Sequence, residues 1–268
     1  MSIVNLNYYV IFALFIILVY VIIFINTTII NIIMKIKIPK NTDFSKIEQK
    51  LLSIPTTEDF ITLMPDLKSF YEEGLVPNSL THKFQDSFAY DVDLYMMRKS
   101  FVYNYGFTLL SLKLVTELSK QLLNKNVLDV GAGTGFLAKQ LYDNKINIQA
   151  IDKENNVNSS YGFKNKYFDI INEDGIKYIK ENPQINTIIL SWPNYNSEFA
   201  TEVLKAMTFG QKLYYMGEEE GGCTGSYSFF SLLAEKTKLN KSLTKKLQKH
   251  NLSWPGIRDN WYVYEIIR

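Results

Sequence analysis

The sequence has little histidine and almost no cysteine. One cysteine, Cys223, and two histidines, His82 and His250, occur among 268 residues. A single cysteine excludes an internal disulfide framework and is compatible with a reducing compartment. The two histidines stand alone and no C-x-x-C occurs, so the spacing typical of metal ligands is missing. The sequence therefore predicts no metal site.

Charged side chains are absent from residues 1–34, and residues 8–25 are almost continuously apolar. As a helix this apolar run would cover ~27 Å, close to the hydrocarbon thickness of a bilayer of ~30 Å. We predict a retained, single-pass membrane anchor, with a signal peptide or a buried helix as the alternatives; a basic start and a cleavage site are missing. Lys35, Lys37 and Lys40 follow directly, so the positive-inside rule places the rest of the chain on the cytoplasmic side.

Beyond the anchor, acidic and basic residues are nearly balanced. The chain has 29 basic and 27 acidic residues, a net charge of +2, which gives no nucleic-acid footprint. Residues 35–104 contain four of the seven prolines and predict a linker with short helices at 43–52 and 58–67. Their many aromatic side chains either pack against the following domain or form a lid over a substrate.

Three closely spaced glycines lie in the stretch 126–141, which reads NVLDVGAGTGFLAKQL. An apolar run, the glycines and a helical pattern predict a strand, a tight loop and a helix. Glycine allows such a loop to turn sharply and a ligand to approach its backbone. A dinucleotide fingerprint would require glycine at position 136, where this chain has Phe136, so the spacing argues against an NAD-dependent oxidoreductase. The three glycines are Gly131, Gly133 and Gly135.

Asp129 stands two residues before the first glycine. A carboxylate there would repel a pyrophosphate but can hold the ammonium group of an amino acid. The stretch resembles motif I of the class I S-adenosylmethionine (SAM)-dependent methyltransferases, an acidic residue followed by G-x-G-x-G. The resemblance implies an α/β fold with a doubly wound, mostly parallel seven-stranded sheet over residues 105–268. It also implies SAM as the cofactor, bound by Asp129 and the glycine loop.

Two further acidic residues follow predicted strands. Asp152 ends the apolar run at 146–151, where a carboxylate can accept hydrogen bonds from both ribose hydroxyls. Asp174 follows a strand-like run at 167–171, in a segment that looks like the one meeting adenine in this superfamily. The alternative for Asp174 is to cap the next helix.

Residues 191–195, SWPNY, end a predicted strand at 187–190 where class I enzymes hold motif IV. They are similar to the N-P-P-Y or S-P-P-Y box of amino-methyltransferases, but Trp192 replaces the polar acceptor and Asn194 the second proline. We expect Trp192 and Tyr195 to contact the sulfonium or a planar substrate, because aromatic faces favour cations. The alternative is that they cap the sheet edge.

The loop at 217–225, GEEEGGCTG, follows a predicted strand at 212–216. Four glycines and three adjacent carboxylates at the ligand-binding edge of the sheet indicate a close approach to another group. Glu218 is the candidate for orienting or deprotonating a substrate, and a solvated acidic loop is the alternative.

The remaining pattern predicts helices at 108–123 and 201–207 and a final strand at 261–267, as part of an antiparallel hairpin at the sheet edge.

The predicted function is that of a membrane-anchored SAM-dependent methyltransferase whose substrate the sequence does not specify. The alternative is a non-catalytic, membrane-tethered scaffold or sensor that keeps the same fold, since motif IV is altered and no acid–base pair is evident.

Overall fold

The computed structural model of the protein describes residues 73–76, 92–153, 163, 165–254 and 256–268. All of them belong to the unit Ser53–Arg268. The predicted anchor at 1–34 and the predicted helices at 43–52 and 58–67 lie outside the described residues. Within the described part of the chain, none of the helices is both long and apolar enough to cross a bilayer.

Nine strands and seven helices are described in these ranges. The strands are β1 Leu75–Val76, β2 Leu110–Ser111, β3 Asn126–Val130, β4 Asn147–Ile151, β5 Ile170–Ile171, β6 Thr187–Ser191, β7 Lys212–Gly217, β8 Thr237–Leu239 and β9 Asn260–Ile266. The helices are α1 Val92–Tyr105, α2 Leu112–Leu122, α3 Phe136–Asp143, α4 Gly175–Glu181, α5 Phe199–Ala206, α6 Tyr227–Lys236 and α7 Lys241–Gln248.

A seven-stranded sheet has the order β5-β4-β3-β6-β7-β9-β8. Strands β3 to β7 pair in parallel, and β9 runs antiparallel to both neighbours. The chain builds outward from β3 through β4 to β5 and then returns to the other side of β3 with β6. This reversal makes a crevice at the carboxyl ends of β3 and β6, where open α/β sheets bind ligands. The expected α/β fold with a mostly parallel sheet is confirmed.

The sheet is buried on both faces, as its continuous apolar strands require. Successive residues of a strand point to opposite faces. Val127 and Ile189 therefore join one core cluster, with helices α2, α3 and α7. Leu128, Val130 and Leu190 join the other, with α4, α5 and α6. The two helical layers fix the sheet and leave only its ends open to ligands.

The final strand, β9, pairs antiparallel with β8 at the edge of the sheet, as expected. Two other predictions about elements need correction. The strand predicted at 167–171 is reduced to β5, Ile170–Ile171. The helix predicted at 108–123 is preceded by β2 and begins only after Ser111, whose hydroxyl accepts a hydrogen bond from the Leu114 amide at 3.2 Å. This cap stops the helix from extending back over the apolar residues before it.

Helix α1, within the range predicted as an extension, packs against the carboxyl-terminal part of the chain. Phe101 is completely buried, and its ring centroid lies 5.1 Å from that of Tyr105 and 5.5 Å from that of Trp254. Strand β1 also pairs with β2. The described end of the extension is therefore continuous in packing with the domain that follows it.

Replacing Phe101 with alanine should reduce the free energy of unfolding by about 3–5 kcal/mol, because the change leaves a cavity between α1 and Trp254. Phe209→Ala is the matched control, since the Phe209 side chain is 78% exposed and should change stability by less than about 0.5 kcal/mol. Urea denaturation of the two variants provides the comparison. Equal, small effects would contradict the assignment of α1 to the core.

Candidate functional site

A cavity of about 560 Å³ opens at the carboxyl ends of the parallel strands. It contains residues from the loops after β3, β4, β5 and β6 and from the segment between α1 and β2. Its wall combines acidic groups with aromatic rings. The lining includes Phe107, Thr108, Asp129, Gly131, Gly133, Asp152, Lys153, Phe163, Asp174, Ser191, Trp192 and Phe199.

The glycine loop turns through three left-handed residues. Gly131, Gly133 and Gly135 have φ values of +72°, +57° and +72°, a region that side-chain-bearing residues rarely adopt. The amides of Gly131 and Ala132 donate to the Ile151 carbonyl at 2.9 and 3.1 Å, which fixes the loop to β4. The loop thus presents its backbone to the cavity without a Cβ.

Gly135 differs from the other two glycines because it does not line the cavity. A Cβ on it would lie 2.9 Å from Phe168 Cβ and 3.3 Å from the Phe168 backbone nitrogen. Its glycine is therefore required by packing at the start of α3, whereas the predicted cofactor contacts remain possible only for Gly131 and Gly133.

Asp129 lies in the wall of the cavity and is 2% exposed. Its Oδ1 atom has no hydrogen-bond partner among the described residues. Burial raises the pKa of Asp129 from 3.8 to about 7, and the charge of Asp152 adds to this increase. A buried carboxyl group with an unsatisfied oxygen is suited to a cationic partner that enters the cavity.

Asp152 follows β4 directly and lines the same cavity. Its Oδ2 atom accepts a hydrogen bond of 2.9 Å from the amide of Gly133. The contact joins the tip of the glycine loop to the next strand end, so two of the predicted site residues are held together. Asp129 and Asp152 thus face a common crevice.

Asp174 lines the cavity and also caps helix α4. Its Oδ1 atom accepts hydrogen bonds from the amides of Ile176 and Lys177 at 3.0 and 3.1 Å, and its Oδ2 atom forms an ion pair of 3.1 Å with Lys153. The Lys177 amide and the Lys153 ammonium hold the pKa of Asp174 below its ordinary value. The structure therefore shows the capping role that the sequence left open, at a position next to the cavity.

An aromatic stack also lines the cavity. The rings of Phe107 and Trp192 lie 5.2 Å apart with an interplanar angle of 15°, and Phe163 meets Phe107 edge-on at 6.3 Å. Trp192 has a φ of +52°, an unfavourable conformation for a bulky residue that persists only when its surroundings impose it. Trp192 is among the residues that line the cavity; its contact with a sulfonium or a planar substrate stays a prediction.

Buried contacts impose the conformation of Trp192. Its amide donates to the Met216 carbonyl at 2.8 Å, and its indole Nε1 donates to Asp259 Oδ2 at 2.9 Å. The guanidinium carbon of Arg98 lies 5.6 Å from the centroid of the ring. Burial raises the pKa of Asp259. The indole is consequently held by groups from α1, β7 and the turn before β9.

Tyr195 and Glu218, two other predicted site residues, do not line the cavity. The Tyr195 side chain is 52% exposed. The Glu218 carboxylate accepts hydrogen bonds from the amides of Cys223 at 2.6 Å and Arg258 at 2.9 Å. The exposure of Tyr195 argues against the substrate contact predicted for it. The hydrogen bonds of Glu218 argue against its predicted role in orienting or deprotonating a substrate.

The hydrogen bonds of Glu218 also explain its acidity. Burial alone would raise its pKa, but the amides of Arg258 and Cys223 and the charge of Arg98 bring the pKa below its ordinary value. Glu218 is therefore an ionised clamp that joins the acidic loop to the turn before β9, and not a base poised near pH 7. The close approach that the glycines of this loop indicated is internal: a Cβ on Gly222 would lie 2.5 Å from Glu218 Cβ.

Sequence reasoning missed the contribution of the segment between α1 and β2. Phe107 and Thr108 both line the cavity, and the Thr108 hydroxyl lies 2.6 Å from that of Ser191. No local motif marks these residues, and their contacts join positions 83 residues apart in the chain. The available signal was the density of aromatic side chains just before the glycine loop.

Several solved structures that are similar in fold to this chain are SAM-dependent methyltransferases. A SAM-dependent methyltransferase from Archaeoglobus fulgidus has 12% sequence identity and a TM-score of 0.36, over 56% of this chain and 94% of the other. The N-methyltransferase NodS from Bradyrhizobium japonicum has 13% identity and a TM-score of 0.34, over 58% and 97%. Magnesium protoporphyrin IX methyltransferase from Synechocystis, solved with bound SAM, has 12% identity and a TM-score of 0.35, over 57% and 77%.

No protein-family model matches the sequence, and no curated protein matches it either. Identities and TM-scores this low carry no information about substrate. The functional inference therefore rests on the residues of the cavity.

The raised pKa of Asp129 predicts how stability depends on pH. The folded protein holds this proton more tightly than the unfolded chain, so stability should fall as pH rises from about 4 through about 7. Asp129→Asn removes the buried charge and should make the unliganded protein more stable than the parent at pH 8, by on the order of 2 kcal/mol. The two should converge near pH 4.

Thermal unfolding between pH 4 and pH 8 checks this expectation, with Asp169→Asn as the control because Asp169 is exposed. Parallel pH profiles for the parent and Asp129→Asn would show that Asp129 does not titrate in this range.

Proposed function

We propose that the chain is a membrane-anchored, SAM-dependent methyltransferase. The observation that carries the proposal is Asp129, a buried carboxyl group with an unsatisfied oxygen beside a left-handed glycine loop. An amino-acid ammonium satisfies such an oxygen, whereas a phosphate would be repelled. Asp152 lies in the same cavity, and a carboxylate at this strand end is a suitable acceptor for ribose hydroxyls.

The residues present fit this cofactor. Asp129 and the backbone at Gly131 and Gly133 would hold the methionine part, Asp152 the ribose, and the wall near Asp174 the adenine. When bound, SAM supplies an electrophilic methyl group on a sulfonium centre. Its positive charge would be favoured by the aromatic rings of the cavity wall.

The acceptor side of the cavity carries no carboxylate, amine or imidazole among its described lining residues in 105–110 and 191–199. The hydroxyls of Thr108 and Ser191 are hydrogen-bonded to each other. Methyl transfer would therefore depend on alignment and exclusion of water, with an acceptor that brings its own lone pair. The carbon–sulfur bond breaks as the bond to the acceptor forms, and any proton on the acceptor leaves to solvent.

The membrane attachment is part of the proposal. Its support is the absence of charged residues from 1–34 and the lysines at 35, 37 and 40, which would place the catalytic domain on the cytoplasmic side. The acceptor would be a molecule available at that membrane surface or in the adjoining solution.

A second candidate is a non-catalytic scaffold or sensor tethered to the membrane. It is favoured because the Glu218 carboxylate is hydrogen-bonded to two backbone amides. The hydroxyls of Thr108 and Ser191 are likewise hydrogen-bonded to each other. Such a protein would bind SAM without transferring its methyl group.

Binding of S-adenosylhomocysteine, which keeps the amino-acid and adenosyl groups, should depend on the ionisation of Asp129. With a pKa of about 7 in the unliganded protein, affinity should increase roughly tenfold from pH 6 to pH 7.5. Asp129→Asn should weaken binding at least about 100-fold at pH 7.5 and remove this pH dependence, because it removes a charge-assisted contact. Isothermal titration calorimetry measures both effects.

Asp169→Asn is the control for calorimetry and should bind like the parent. Unchanged affinity in Asp129→Asn would reject the proposed pocket, whatever the catalytic status of the protein.

Incubation of the full chain with methyl-labelled SAM and a membrane-containing cell extract should transfer label to a product. Asp129→Asn should eliminate the label and Asp169→Asn should retain it. Binding of SAM without label in any product would reject the enzyme and favour the scaffold or sensor.

A further inference from the structure

Basic residues are concentrated in one segment of a chain that is nearly neutral as a whole. Residues 236–258 contain seven lysine or arginine residues and no aspartate or glutamate. Because the whole chain carries a net charge of +2, its other residues together carry −5. The nearly neutral net charge of the whole sequence therefore does not show that positive charge is concentrated in this segment.

Helix α7 presents most of these charges to solvent. Its apolar side, with Leu247 buried, packs on the sheet, and its other side carries exposed lysines. Lys241, Lys245 and Lys249 follow each other at intervals of four residues, where like charges repel along a helix. The exposed lysines are Lys241, Lys245, Lys246 and Lys249.

Several lysines on other helices are paired with carboxylates. Lys139 pairs with Asp143 on α3, Lys177 with Glu173 at α4, and Lys205 with Glu202 on α5. Among the described residues, no ion pair involves a lysine of α7. Lys236, at the start of the basic segment, is used within the fold, since its ammonium donates to the carbonyls of Leu204 and Met207. The α7 lysines have no such internal role.

Helix α2 extends the same surface. It packs beside α7 in one helical layer, and the Gln121 amide of α2 donates to the Leu243 carbonyl at 3.3 Å. Lys113 and Lys120 are exposed and lie with His250 around a shallow depression. The acidic residue in this depression is Glu117, which accepts a hydrogen bond from Gln121. We call the six exposed lysines the lysine face: Lys113, Lys120, Lys241, Lys245, Lys246 and Lys249.

We propose that the lysine face docks on a bilayer surface that contains anionic phospholipid. Clustered lysines are attracted by the negative potential of such a surface. Leu112, 51% exposed on the rim of the same depression, adds an apolar group that can enter the interface. The described residues that line the depression include no arginine, phenylalanine, tyrosine or tryptophan, the residues that nucleic-acid sites use for bidentate contacts and base stacking. These features favour lipid over nucleic acid.

The experiment measures the acetylation rate of each lysine by mass spectrometry, with the full chain mixed with vesicles. Neutral vesicles of phosphatidylcholine are compared with vesicles that also contain phosphatidylserine. The lysine face should be protected several-fold in the anionic vesicles alone, and 0.5 M sodium chloride should abolish the protection by screening. Lys166, Lys180 and Lys205, exposed elsewhere, are the internal controls and should react equally throughout.

A triple variant separates the effect of the lysine face from the effect of a change in the net charge of the protein. Replacing Lys245, Lys246 and Lys249 with glutamine should abolish the several-fold protection of Lys113 and Lys120, because those three lysines supply half of the positive charge of the lysine face. The matched variant with glutamine at 166, 180 and 205 carries the same charge change and should keep the protection.

Equal acetylation in neutral and anionic vesicles would overturn the proposal. Protection by a single-stranded RNA oligonucleotide without protection by anionic vesicles would overturn it in favour of a nucleic-acid partner. Association with neutral vesicles reports on the predicted anchor, and label transfer from SAM reports on the enzyme, so failure of either is distinguishable from failure of this surface.

Discussion

The attachment of the glycine loop to strand β4 is the constraint on which the site depends. Amides at the start of the loop donate to the Ile151 carbonyl, and the amide of Gly133 donates to Asp152. These bonds are possible because the chain passes through left-handed φ values that glycine adopts without strain. Asp129 lies on β3 between its partner strands β4 and β6, directly before this loop, and is 2% exposed. A side chain at Gly131 or Gly133 would both strain the turn and occupy the space beside Phe199 or Phe163.

Burial of Asp129 lowers the stability of the unliganded protein at neutral pH and favours the binding of a cation. Enclosure raises its pKa to about 7, which means that the ionised carboxylate is held at a cost in folding free energy. A cationic ligand would offset that cost, so the energy stored at Asp129 favours binding of an ammonium group. The neighbouring acids are different: Asp174 already has amide and lysine partners, and Glu218 is fixed by two amides. All three carboxylates follow or end strands at the same edge of the sheet, so their position in the sequence did not show which of them has an oxygen without a hydrogen-bond partner among the described residues.

Local patterns predicted the central part of the fold well. The run Val127 to Val130, the glycines and the following helix each follow from residue spacing, and the buried strands β6 and β7 follow from continuous apolar runs. The insertion of β9 between β7 and β8 was not predictable in this way, because it is a pairing between segments distant in sequence. The contacts of Glu218 were not predictable for a related reason. The direction of its side chain after β7 is set by the amides of Cys223 and Arg258, and Arg258 lies 40 residues further along the chain.

The charge distribution separates two surfaces of one domain. Acidic groups gather at the carboxyl edge of the sheet, around a cavity that would receive a cation, while lysines gather on the outer side of α2 and α7. Both arrangements are invisible in a net charge of +2, and both appear once the strands and helices bring distant residues to one face. Ligand binding and surface attachment can thus be served by different parts of the same fold.

A crystal structure of the full chain with S-adenosylhomocysteine would test the central claim most directly. The account predicts that the ligand's ammonium lies within hydrogen-bonding distance of Asp129 and that its ribose hydroxyls lie at Asp152. A ligand bound outside the crevice between these two residues, or bound in the reverse direction with its ribose at Asp129, would contradict it.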